Sequence, residues 1–108
     1  MVAKVVPIGQ PKLKPPPTLA EWVERVHEMA KDTEKIGFLH PHLQERMAQR
    51  GKTMRDILET VRKGEGSSGP TLDQYGDWRI RMRRFVAGRR VQVIVAVREK
   101  DFSVVTVI

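Results

Sequence analysis

Six arginines crowd the stretch WRIRMRRFVAGRR: Arg79, Arg81, Arg83, Arg84, Arg89 and Arg90. Arg79, Arg81 and Arg83 alternate with Trp78, Ile80 and Met82, so a strand here would turn three guanidinium groups to one face. A guanidinium stays protonated and presents a planar fork of donors that fits phosphate or carboxylate. It can hold anionic charge and cannot act as a base. The groups that can move protons are few. His42 leads, because imidazole as a residue type titrates near neutrality and because Arg46, four residues on, shares its helix face. His40, Tyr75, Glu45 and Asp73 trail.

One reaction can be weighed against this inventory. Cleavage of RNA without a metal needs a base for the 2′-hydroxyl, an acid for the leaving 5′-oxygen and cations for the phosphorane charge. His42 would be the acid/base, with Arg46, Arg79 and Arg81 on the phosphate and Tyr75 or Trp78 stacking a base. Arg50, Arg83, Arg89 and Arg90 extend the expected nucleic-acid surface. Plainer readings stand beside these. His42, just behind a proline, suits a backbone hydrogen bond at a helix start. Arg46 and Arg50 suit pairing with Glu45 or with glutamates of the next helix. Trp78 keeps the core parity of Ile80 and Met82, and the arginine strand could be a solvated face.

Other chemistries fit poorly. His27, His40 and His42 lack ligand spacing with carboxylates, so no metal site is expected. GEGSSG is followed by no Gly-Lys-Ser/Thr, which excludes a phosphate loop, and Ser67 and Ser68 have no nucleophile elbow. No cofactor is expected. The chain has no cysteine, which removes disulfides and thiolate chemistry and fits a reducing, cytoplasmic setting. It has no apolar run long enough for a membrane span and opens with no signal-peptide pattern.

The 108 residues carry a net charge of +7, and its placement matters more than its size. Residues 76–100 hold eight cationic side chains against Asp77 and Glu99, a surplus of six. A field so concentrated steers anionic partners such as RNA, DNA or an acidic protein.

The elements that must position these groups follow from periodicity. Residues 1–17 contain five of the seven prolines and read as an extended or disordered arm. Residues 18–108 read as one α+β domain. TLAE is a capping box at Thr18, and Leu19, Trp22, Val23, Val26 and Met29 then recur at helical spacing. KIGFL is a short strand or an extended entry. Pro41 suits the first turn of a second helix over about 41–50, closed by Gly51. Thr53 and Asp56 open a third helix, which Gly64 ends. GEGSSGP at 64–70 reads as a loop. The period then becomes two. A bulge or a strand end is expected near Arg84, where the arginine falls on the apolar parity. AGRR reads as a turn, and Val91, Val93, Val95 and Val97 form the next inward face. FSVVTVI is the last strand. The expected architecture is two to three N-terminal helices packed on a small antiparallel sheet, with the strands in a meander.

HLQERMAQRG at 42–51, TMRDILETVRKG at 53–64, GDWRIRM, RRVQVIVAV and the closing VVTVI together resemble the small bacterial family known as domain of unknown function 4258. The resemblance covers about residues 36–108 and leaves out the proline-rich arm. That family's shape is similar to the RelE/ParE-like toxin fold and its metal-independent endoribonuclease relatives. The resemblance therefore implies helices followed by an antiparallel sheet; together with the charge it leads to the expectation of a toxin-type domain, either a ribonuclease or an RNA-binding inhibitor acting through the basic face, with an acidic antitoxin-like protein as partner. The alternative is a non-catalytic module that docks nucleic acid or an acidic protein through the arginine face.

Overall fold

The computed structural model describes residues 18–38 and 41–108. The proline-rich arm, Leu39 and His40 lie outside them. The described residues form helices α1 (Leu19–Met29), α2 (Leu43–Arg50) and α3 (Met54–Lys63) and strands β1 (Ile36–Gly37), β2 (Glu65–Leu72), β3 (Trp78–Val86), β4 (Arg89–Val97) and β5 (Phe102–Val107). None of these helices is long and apolar enough to cross a membrane.

The helices start where side chains can satisfy otherwise unpaired amides. Thr18 Oγ1 accepts from the Glu21 amide at 3.2 Å. At α3 the exchange is reciprocal: Thr53 Oγ1 accepts from the Asp56 amide at 3.3 Å, and Asp56 Oδ2 accepts from the Thr53 amide at 2.8 Å. α2 starts later than its sequence suggests, with Pro41 outside it and His42 at the capping position. It closes on Gly51, whose φ of 63° lets the Lys52 amide donate to the Met47 carbonyl at 2.9 Å.

The sheet has the order β1-β5-β4-β3-β2. β2 through β5 run antiparallel, as expected, but β1 pairs parallel with Phe102 and Ser103 of β5. The sheet is therefore mixed and five-stranded rather than an antiparallel meander of three. The expected loop is also a strand. Residues 65–72 form edge strand β2, which pairs with β3 through two register shifts. Its glycines misled the reading. A Cβ on Gly66 would lie 2.8 Å from Leu19 Cγ and Val23 Cγ2, so the residue lets α1 pack directly on the strand backbone. Pro70 is tolerated because the strand lies at the sheet edge.

The core alternation is as the sequence suggested. Ile80 and Met82 of β3, Val91, Val93, Val95 and Val97 of β4, and Phe102, Val104 and Val107 of β5 join Trp22, Val26, Ile57 and Val61 of the helices in one buried cluster. Trp22 and Trp78 meet within it, their ring centroids 6.0 Å apart. No bulge interrupts β3 at Arg84, because the β3–β4 register runs unbroken from Trp78↔Val97 to Val86↔Arg89. Arg84 keeps the core parity at the strand's end and reaches out to Glu59 at 3.5 Å and the Lys63 carbonyl at 3.2 Å. The shift falls instead in β5, where Val105 is the extra residue between Val104 and Thr106.

Ala87 and Gly88 join β3 to β4 as a two-residue turn with φ of 52° and 78°. Two positive values match the twist of the hairpin, and alanine pays a steric penalty there that asparagine largely avoids. Ala87→Asn is expected to raise stability by about 0.5–1 kcal/mol. Gly66→Ala is expected to lower it by about 1–3 kcal/mol through overpacking against α1. Urea unfolding of both variants reads the two signs.

Candidate functional site

The unbroken β3–β4 register decides what the outer sheet face carries. With Ile80 and Met82 turned to the helices, Arg79, Arg81, Arg83 and Phe85 project to the other side. Their β4 partners there are Ala96, Ile94, Gln92 and Arg90. From β5, Ser103 and Thr106 pair with Ala96 and Ile94 on the same face.

α2 packs against β5 and walls off one side of this face. Leu43 is its one buried residue and Met47 is half-buried, while the rest of the helix is exposed. Between α2 and the sheet lies an open concavity of about 570 Å³, lined by His42, Glu45, Arg46, Gln49, Arg79, Val105 and Thr106. Two of the sequence-predicted catalytic residues, His42 and Arg46, thus share a hollow with Arg79 from a distant strand. The His42 side chain is 72% exposed, and its Nδ1 stands 3.6 Å from Glu45 Oε2.

Arg79 is held in place by one carboxylate. Asp73 Oδ1 accepts from the amides of Tyr75 (2.8 Å) and Asp77 (2.9 Å), and Oδ2 accepts from Arg79 Nε at 3.0 Å. The β2–β3 turn and the arginine are fixed together. Burial pushes the Asp73 carboxyl up, but the amides of Asp77 and Tyr75 and the Arg79 guanidinium outweigh it and hold the group below its ordinary value. Tyr75 itself is exposed in this turn and does not line the hollow.

The other arginines divide. Arg83 pairs with Glu65 at 2.8 Å, and Arg90 lies over the Phe85 ring, 5.5 Å from its centroid. Among the described residues Arg46, Arg50 and Arg81 hold no carboxylate. Arg50 is exposed near the end of α2, away from the lining of the hollow. Arg89 lies on the opposite face. It opens β4 rather than sitting in the turn, pairs with Val86, and its guanidinium donates to the Gly51 carbonyl at 3.0 Å and meets Asp56 at 3.4 Å. There it ties the α2–α3 junction to the sheet. Asp56 titrates below its ordinary value, chiefly because the Thr53 amide donates to it, with Arg89 and Lys52 adding attraction. His27 is structural too: its Nε2 lies 2.7 Å from the Gly64 carbonyl. Among the described residues no three His, Asp or Glu side chains are grouped to hold a metal ion.

Sequence reasoning missed three contributors. Val105 and Thr106 line the hollow because a bulge in β5 turns them there, which no local pattern announces. Phe85 was visible in principle, since extending the period of two through Arg84 puts it outside.

These features describe an α+β protein with its main helical layer on one sheet face and a second face that is cationic and, among the described residues, largely uncovered. The chain belongs to the family described as Domain of unknown function (DUF4258), whose model matches residues 39–108. No curated protein and no solved structure matches the chain.

Two of the lowered carboxyls, Asp56 and Asp73, contribute to the acid limb of stability. Unfolded aspartates titrate near about 3.9, so the contribution of Asp56 and Asp73 is complete above about pH 4 and is lost as pH falls through their lower folded values. Asp73→Asn is expected to reduce stability at pH 7 by about 2 kcal/mol. Its deficit relative to the parent should shrink below about pH 4, as measured by denaturant unfolding across pH.

Proposed function

We propose that the protein is a RelE/ParE-like toxin-type domain that cleaves RNA without a metal, at the hollow between α2 and the outer sheet face. The observation that carries this reading is the meeting of His42, Arg46 and Arg79 in one concavity beside an open, arginine-bearing sheet. The helical layer on one face and the run of antiparallel strands support the finer fold assignment.

In this reading the His42 imidazole takes the proton of a ribose 2′-hydroxyl, with Glu45 favouring the imidazolium that forms. The 2′-oxygen attacks phosphorus, the P–O5′ bond breaks, and the imidazolium returns its proton to the departing 5′-oxygen. The products are a 2′,3′-cyclic phosphate and a 5′-hydroxyl. Arg46 and Arg79 hold the charge that builds on the phosphoryl oxygens, and Asp73 presents the Arg79 guanidinium so that little ordering is needed when substrate arrives. An acidic antitoxin-like protein would silence the site by covering the same face.

A second reading, a non-catalytic module docking nucleic acid or an acidic protein, has its own support. The His42 side chain is largely open to solvent, and Arg79 and Arg83 already hold carboxylates that a partner's anions could replace.

Incubation with single-stranded RNA separates the two. Cleavage with cyclic-phosphate ends is expected, and His42→Ala should slow it by about 100-fold or more while leaving binding intact. Arg46→Ala and Arg81→Ala remove guanidiniums that hold no carboxylate, so both should fold. Each should weaken binding and lower the salt slope by about 0.7 per lost phosphate contact. RNA that is bound with this salt dependence and stays intact supports the module instead.

A further inference from the structure

At the far end of the outer face, about 20 Å along β3 from Arg79 at strand rise, lies a second cavity of about 470 Å³. Lys63, Glu65, Arg83, Arg84, Phe85 and Arg90 line it. Four cations and one carboxylate line it, and two of the cations, Lys63 and Arg84, pair with Glu59 of α3. One lining residue is an aromatic open to solvent: Phe85, near the end of β3, is 67% exposed.

The hairpin keeps that ring in place. The two-residue turn at Ala87–Gly88 fixes Phe85 directly opposite Arg90. The Arg90 guanidinium covers the ring from 5.5 Å, and the ring's remaining exposure leaves apolar surface for a second planar group. Among the described residues Arg90 holds no carboxylate. Arg83 is ordered by Glu65, which lies on the exposed edge strand.

We propose that Phe85 is a stacking platform for a base of single-stranded RNA, with Arg83 and Arg90 on the flanking phosphates. This deepens the RNA-directed reading above and rests on it. The protein would then hold a segment of strand at two points, with Arg81 between them, rather than a single phosphodiester. The combination favours a nucleic-acid strand over an acidic peptide. An exposed aromatic interleaved with arginines matches alternating bases and phosphates, whereas a run of carboxylates has no use for the ring.

The test uses the full chain and a fluorescent octamer of 2′-O-methyl uridine, which lacks the attacking hydroxyl and so reports binding alone. Phe85→Ala is expected to weaken binding by about tenfold with the salt slope unchanged, because stacking releases no counterions. Phe85→Trp should retain affinity. Arg90→Ala should lower the slope by about 0.7. Thermal melts of the variants confirm folding, which the exposure of Phe85 makes safe. Binding unchanged by Phe85→Ala overturns the proposal. So does a protein that binds poly-glutamate but not the octamer. If the octamer binds with the expected dependence while ordinary RNA stays intact, the cleavage reading fails and the platform stands. If RNA is cleaved in a His42-dependent way and Phe85→Ala is neutral, the platform alone fails.

Discussion

A strand covered on one side only must send alternate side chains into two different solvents. That constraint governs β3 and, through its unbroken register, β4. Trp78, Ile80 and Met82 go under α1 and α3, where they meet the valines of β4 and the Trp22 ring. Arg79, Arg81, Arg83 and Phe85 have no choice but the other face. The concentration of charge there is the complement of an inner face that is apolar over Ile80 and Met82 and the valines opposite them, and the same alternation that builds the core builds the surface offered to an anion.

Ion pairs then sort the arginines into different trades. Arg89 and Arg84 turn toward the helical layer and fasten it, through Asp56 and Gly51 in one case and Glu59 and Lys63 in the other. Arg79 and Arg83 stay outside, each steadied by a carboxylate from the β2 side of the sheet. Pairs this exposed add little to stability. Their effect is on order, since a guanidinium already held in one orientation loses less freedom when an anion binds. Asp73 is the strongest instance, because its carboxylate is buried and also closes the β2–β3 turn.

What could be read in the sequence was whatever depends on near neighbours. The Thr53–Asp56 box, the Gly51 stop and the valine alternation of β4 all follow from spacing of a few residues, and the structure has them. β2 was misread because Gly and Ser usually signal turns, whereas Gly66 is there to let a helix approach. β1 was left open because its parallel pairing with β5 joins residues more than sixty positions apart and involves only two of them. Of the two alternatives at Arg84, a bulge or a strand end, the bulge is absent and β3 ends two residues on; a long side chain can start on the inner parity and still reach water. At the candidate site, the shared helix face of His42 and Arg46 was legible. Their junction with Arg79 and Thr106 was not, because it is made by the way α2 crosses toward β5. The carboxylates that hold Arg79 and Arg83 likewise depend on register.

The wall that carries His42 is the lightest part of the fold. α2 spans eight residues, closes on a glycine and commits one side chain, Leu43, to full burial, while α3 commits Asp56, Ile57, Thr60 and Val61. Besides Leu43, α2 has the half-buried Met47 against the core and, at its end, the Arg89 guanidinium on the Gly51 carbonyl. An element with so little buried apolar surface opens at lower cost than one with more, so the width of the hollow rests on a handful of contacts.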